Sequence, residues 1–215
     1  MNIGIIGSGN MGAALGKLWA QAGHQVIFSY SRDANKLQDL AMAAGSNAKV
    51  GTPEEAVTQS DIVMLAVGFP SLEAILRMIC SPEGKIIITC ISALHPDFTG
   101  QTIGIVTDLK LSIAEAIQQV APKAKVVEAF NMTFAEILAS NTRQFGVEYP
   151  SIFYCGDDEE AKKTVAGLIV DCGYEAIDAG DLIVARSLET LATAWVQFAV
   201  SSQLFPNLGL KALRR

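Results

Sequence analysis

Asn2-Ile3-Gly4-Ile5-Ile6-Gly7-Ser8-Gly9-Asn10-Met11-Gly12 opens the chain, and its reading decides the fold. Ile3, Ile5 and Ile6 form an apolar run of strand length, Gly7 to Gly12 spell G-x-G-x-x-G, and Ala13, Ala14, Leu15 and Leu18 follow at helical spacing. The glycine pattern alone is common; a strand before it and a helix after it make it the phosphate turn of a dinucleotide-binding βαβ unit. Gly7 would make the tight turn, Gly9 would let a pyrophosphate approach the backbone, and Gly12 would let helix and strand pack closely. Ser8, Asn10 and Met11 belong to the same turn, where the free N–H groups of a helix start favour phosphate. The bland alternative is a glycine-rich turn that holds nothing.

Outward from this unit, strand-length apolar runs alternate with helical patterns. Strands are expected at Asn2–Gly7, Gln25–Ser29, Asp61–Val67, Lys85–Cys90, Lys125–Phe130, Ser151–Cys155 and Tyr174–Ile177. Helices are expected at Met11–Ala22, Asp33–Ala44, Pro53–Thr58, Ser71–Cys80, Ser112–Val120, Thr133–Ala139, Asp158–Cys172 and Asp181–Gln203. Several strands are continuous apolar runs, as strands covered on both faces are. The expectation is an α/β fold: a doubly wound, Rossmann-type, mostly parallel sheet with a small C-terminal α/β addition. The loop-like stretch Asn141–Pro150 divides residues 1–140, the dinucleotide-binding domain, from residues 141–215, a small domain for acceptor binding and dimerisation.

The 215 residues carry 22 acidic and 16 basic side chains, net −6, a surface that repels phosphate backbones and argues against a nucleic-acid partner. Half the residues are hydrophobic, which excludes disorder. Cys80, Cys90, Cys155 and Cys172 form no C-x-x-C pair, and a first strand at Asn2 leaves no room for a signal segment, so reduced thiols in a cytoplasmic protein are expected. Leu191 to Leu210 is free of charge but holds Thr193, Gln197, Ser201, Ser202, Gln203, Pro206 and Asn207. It reads as a buried or subunit-facing helix in a homodimer rather than a membrane span.

Cofactor choice is set at the end of the second strand, where NAD enzymes place a carboxylate. Here the sequence reads Ser29-Tyr30-Ser31-Arg32, with Arg32 20 residues after Gly12. A hydroxyl and a guanidinium suit the 2′-phosphate of NADP(H), with Lys36 as a second cation. Asp33 would cap the next helix, and Arg32 could instead be a solvated surface arginine. The carboxyl ends of the central strands would line the reaction site: Val67 and Gly68, then Ala93, then Asn131 and Met132. Asn131 offers a donor and an acceptor for a flat heterocycle, or it caps Thr133–Ala139. His24 reads as a solvated turn residue, His95 as a solvated loop residue, and Asp157–Glu160 as a helix cap rather than a metal site. No metal or triad motif is present, and direct hydride transfer between two stacked heterocycles needs no side-chain acid or base.

Gly7–Gly12 with Ser31-Arg32, Val126–Asn131, Phe153–Asp158, Ile177–Leu182 and Arg186–Leu191 together resemble the NADPH-dependent reductases of the 8-hydroxy-5-deazaflavin coenzyme, coenzyme F420. The resemblance covers nearly the whole chain. It implies NADPH on the glycine turn, a deazaflavin acceptor in the cleft, and a C-terminal helix that brings Thr190, Ala192 and Trp195 to the acceptor. Asn131 stands where the deazaflavin reductases carry a histidine; Phe130-Asn131 is more similar to the oxidoreductase domain of transmembrane ferric reductases, whose acceptor is a flavin (FMN or FAD). Two other readings compete. Gly9-Asn10-Met11-Gly12 also resembles pyrroline-5-carboxylate reductases, which continue into an all-helical dimerisation domain, against which the strand-like Ser151–Cys155 and Tyr174–Ile177 argue. A sensor that binds NADP(H) without turnover is the third.

Overall fold

The computed structural model describes residues 1–31, 33–78, 83–92 and 110–215. In chain order the elements are β1 (Asn2–Ile6), α1 (Asn10–Gln21), β2 (Gln25–Ser29), α2 (Ala34–Ala44), β3 (Ala48–Val50), α3 (Pro53–Thr58), β4 (Ile62–Leu65), α4 (Phe69–Met78) and β5 (Ile86–Thr89). They continue with α5 (Ile113–Val120), β6 (Lys125–Glu128), α6 (Ala135–Ala139), β7 (Ser151–Gly156), α7 (Glu159–Asp171), β8 (Glu175–Asp178), a 3-10 turn (Leu182–Val184) and α8 (Ala185–Ser201). Arg32 and Ala93, both expected at the cofactor site, lie outside the described residues, as does His95.

The strands form one sheet in the order β3-β2-β1-β4-β5-β6-β7-β8. Every pairing from β3 to β6 is parallel, and the order reverses between β1 and β4, the doubly wound arrangement. β7 joins β6 antiparallel, with Glu128 opposite Cys155, and β8 joins β7 in parallel. Residues 141–215 therefore extend the same sheet. These two strands stand where an all-helical C-terminal domain, as in the pyrroline-5-carboxylate reductase reading, would have none.

Alternation along buried strands feeds two cores. Ile3 and Ile5 of β1, and Ile62 and Met64 of β4, join Leu15, Trp19, Phe130 and Leu168 on the face covered by α1, α6 and α7. Ile6, Val63 and Leu65 join Val57, Ile75, Ile117 and Leu188 on the face covered by α3, α4, α5 and α8. Trp19, fully buried, meets Phe130 edge-on at 6.0 Å and donates its indole N–H to Leu168 O at 3.0 Å, which ties the first helix to α7.

Several local expectations need correction. β3 is not among the expected strands: Ala48-Lys49-Val50 is three residues long, half exposed at the sheet edge, and carries no apolar alternation to announce it. The helix expected at 133–139 begins at Ala135, with Phe134 as its cap, so Asn131 is not a capping residue. Asp181–Gln203 divides into the 3-10 turn and α8. His24 is not solvated: its side chain is 12% exposed and bonds Asp171 at 2.8 Å, fastening the turn before β2 to the end of α7. Asp158 does cap α7, accepting from Ala161 N.

Candidate functional site

The glycine turn divides its labour. Gly7 has φ of +106°, and a Cβ there would lie 2.5 Å from Ala66 O. A Cβ on Gly12 would lie 2.0 Å from Gly7 O, so its absence lets α1 sit on the turn. A Cβ on Gly9 would meet nothing within 4 Å: the protein itself does not need this glycine. α1 has neither a side-chain cap nor an acidic residue in its first turn. By contrast, α2 and α7 are sealed by aspartates and α5 by a capping box, while the uncapped α8 runs on directly from the 3-10 turn. The uncapped N–H groups behind an open Gly9 suit an anionic ligand.

A cavity of about 460 Å³ lies over this turn, lined by Gly7, Ser8, Gly9, Tyr30, Ser31, Lys36 and the segment Ala66–Gly68. Ser8 hydroxyl donates to Ser29 O at 3.0 Å, tying the turn to the end of β2. Ser31 Oγ accepts the Asp33 N–H at 3.1 Å, which leaves its own proton free to donate into the cavity. The Asp33 carboxylate accepts from Asn35 N, so it is engaged in capping α2, as the sequence implied.

A second cavity, of about 660 Å³, continues from the first through Gly9, Ala66, Val67 and Gly68. Asn10, Met11, Phe69, Cys90, Ser92, Phe130, Asn131, Thr133 and Val196 help to line it, with no charged side chain among the described residues. Burial pushes the Cys90 thiol up to about 12, so it stays neutral and is a poor nucleophile. Two strand ends at the cavities carry non-glycine residues with positive φ, Tyr30 at 59° after β2 and Phe130 at 67° after β6. Bulky residues adopt this conformation only where the surroundings impose it, which is typical of binding sites.

Of the residues expected on the acceptor side, the cavity includes Asn131 and omits four, among them Ala192, which is buried in the core. Met132 is 5% exposed and packs in the core against α5 and α8. Thr190 lies on the outer face of α8, its hydroxyl donating to Arg186 O. Trp195 is partly buried against the core, and its neighbour Val196 reaches the cavity instead. The rotation of α8, which starts at Ala185 after the 3-10 turn, decides which of its residues faces the cavity, and residue type alone does not announce it.

Behind Asn131 lies a buried polar group that motif reading passed over. Glu128, at the end of β6, is 0% exposed and its Oε1 accepts from Asn131 Nδ2 at 2.6 Å. Glu189 of α8 is 2% exposed and accepts from Ile113 N at 2.6 Å, at the start of α5. One turn away, Arg186 makes a two-pronged bond to Glu115 at 2.8 and 2.7 Å. An acidic residue inside Val126-Val127-Glu128-Ala129-Phe130 was the available signal, since a carboxylate within a buried strand requires a partner.

The mostly parallel sheet with its glycine turn and two-part cleft is a dinucleotide-binding fold of the Rossmann type. Residues 2–93 match the family of NADP oxidoreductases described as coenzyme F420-dependent. Over 202 residues, the chain is 28% identical to the F420-dependent NADP reductase of Methanocaldococcus jannaschii, covering 89% of each. It is also 28% identical over 189 residues to metalloreductase STEAP3 of Rattus norvegicus, covering 88% of this chain but only 36% of that protein. The crystal structure of a putative F420-dependent NADP-reductase from Arthrobacter sp. FB24 superposes with a TM-score of 0.84 over 99% of both chains at 23% identity, a likeness of fold. Among the described residues no helix is long and apolar enough to cross a membrane, and no cluster of side chains could hold a metal ion.

Proposed function

We propose that the chain transfers hydride between NADPH, held over the glycine turn, and a planar deazaflavin or flavin ring held in the adjoining cavity, with no side-chain acid or base. The observation that carries this is the continuity of the two cavities through Gly9, Ala66, Val67 and Gly68, with uncharged walls on the acceptor side. NADPH would supply the hydride and the acceptor ring would take it. The chain's own part is positional: the α1 N–H groups and Ser31 hold phosphate, Lys36 adds positive charge, and Val67, Gly68, Phe130 and Asn131 shape the place where two rings can stack. The likeness to the Methanocaldococcus reductase favours coenzyme F420 as acceptor; the likeness to STEAP3 makes a flavin the second candidate.

The test is NADPH consumption by the purified chain with oxidised coenzyme F420, FMN and FAD offered in parallel. Rapid turnover with the deazaflavin is expected; turnover with a flavin alone would shift the acceptor, and no turnover with any would leave a nucleotide binder. The 2′-phosphate reading rests on Ser31, Arg32 and Lys36. Arg32→Ala is expected to weaken NADPH by about 1.5–3 kcal/mol and leave NADH nearly unchanged, because only NADPH brings the phosphate that the guanidinium would bind. Titration of both nucleotides checks this; equal losses would remove Arg32 from the assignment.

A further inference from the structure

Glu128 and Glu189 bring two carboxyl groups into hydrogen-bonding contact in the seam between β6 and α8, where neither side chain is exposed. Glu128 Oε1 is satisfied by the Asn131 amide and Glu189 Oε1 by the Ile113 N–H, but Glu128 Oε2 is buried with no donor among the described residues. The groups around the pair supply none. Arg186 of α8 is held by Glu115 of α5, Cys90 after β5 and Cys155 of β7 are neutral thiols, and Asp157 adds only negative charge. Two adjacent buried carboxylates with no cation between them would repel each other and forfeit their hydration. One proton between them turns the repulsion into a short hydrogen bond and satisfies the orphaned oxygen.

We propose that Glu128 and Glu189 share one proton at neutral pH, and that this carboxyl pair is the positioning unit that holds the Asn131 amide in the wall of the acceptor-side cavity. With the proton between the two carboxyls, Glu128 Oε1 remains an acceptor, so the Asn131 NH₂ is turned toward it. Asn131 Oδ1 is itself buried with no partner among the described residues, so the Glu128 bond is what fixes the side chain where the residue lines the cavity and a bound heterocycle would pack on it. Desolvation, and the neighbouring charge of Glu189, push the Glu128 carboxyl well above its ordinary range, which accords with a retained proton. The link to a heterocycle rests on the proposed hydride transfer; the shared proton does not.

Isotope-edited infrared spectroscopy of the full chain, with labelled glutamate and without ligand, tests the proton directly. At about pH 7 the wild-type protein should show the carbonyl stretch of a buried protonated carboxyl, and Glu128→Gln and Glu189→Gln should each abolish it. Either amide supplies the N–H that replaces the shared proton, so the remaining glutamate ionises. No such band in the folded wild type, or a band that survives both substitutions, would overturn the proposal. The positioning role is read separately, in turnover. Glu128→Gln, which keeps an oxygen for Asn131, should hold kcat/KM for the acceptor within about twofold of wild type, whereas Glu128→Ala should lower it about tenfold with NADPH affinity unchanged. Equal losses in Gln and Ala variants would overturn the positioning role. A chain that turns over no acceptor would fail the proposed function, while the infrared result still decides the shared proton.

Discussion

Gly12→Ala is expected to cost more than about 4 kcal/mol of stability, whereas Gly9→Ala, three residues away, leaves the fold almost untouched and weakens cofactor binding. The difference follows from what each new methyl meets. At Gly12 it would lie 2.0 Å from the Gly7 carbonyl oxygen, 3.1 Å from Ile5 and 3.2 Å from Ala66, and backbone cannot yield as a flexible side chain can. α1 would have to lift off the turn, opening the core around Leu15 and Trp19. At Gly9 the methyl enters open space, and the backbone there, φ −73° and ψ −171°, is one that any residue adopts. The fold loses at most a modest helix-cap preference, below about 1 kcal/mol. A pyrophosphate lying against the turn would meet that methyl, and overpacking of about 1–3 kcal/mol translates into a roughly 5- to 150-fold loss of NADPH affinity. Denaturant unfolding and NADPH titration of both variants check the pair. Unaltered NADPH binding by a folded Gly9→Ala protein would move the nucleotide away from this turn.

Wild-type stability, measured against Glu128→Gln, should fall as pH rises above the ordinary carboxyl range. The native protein keeps a proton that the unfolded chain releases above its ordinary value of 4.5. More protons are then bound in the native state than in the unfolded one, so the stabilisation present below that value is lost as pH rises. The slope for one proton is about 1.4 kcal/mol per pH unit, and it ends where the native pair itself ionises. Glu115 and Glu175 act in the opposite sense, since hydrogen bonds from Arg186 and Lys211 lower them, but they are common to both proteins and cancel in the difference. Urea unfolding from about pH 5 to 8 should show the Gln variant gaining on wild type by about 2 kcal/mol or more. Parallel pH profiles would mean that Glu128 is ionised in the native state.

The parts of the fold that were legible in the sequence are those in which burial and periodicity coincide. β1, β2 and β4 are apolar on both faces because helices cover both, and Asp33 and Asp158 cap helices as their positions imply. β3 escaped because an exposed three-residue edge strand leaves almost no pattern. For the site, Gly7, Ser8, Gly9, Ser31, Lys36, Val67, Gly68 and Asn131 fall together because a parallel sheet brings the carboxyl ends of its strands to one edge. Met132, Thr190 and Trp195 fall elsewhere because the turn after β6 and the rotation of α8 depend on tertiary packing. Tyr30 and Phe130 bear their positive φ for the same reason: a backbone conformation imposed from outside leaves no trace in residue type.

β6 has a consequence for how the two cavities can move. It lies inside the sheet, bonded in parallel to β5 and antiparallel to β7, and it ends at the residues that wall the acceptor cavity. Opening a gap between residues 1–140 and 141–215 at this seam would break ladder hydrogen bonds and expose Val126 and Val127, each at most 2% exposed. The two binding surfaces thus ride on one stiff lattice. Distance and tilt between the bound rings would be built in during folding rather than set by a jaw closing on each turnover, and loops and side-chain rotations would carry what adjustment remains.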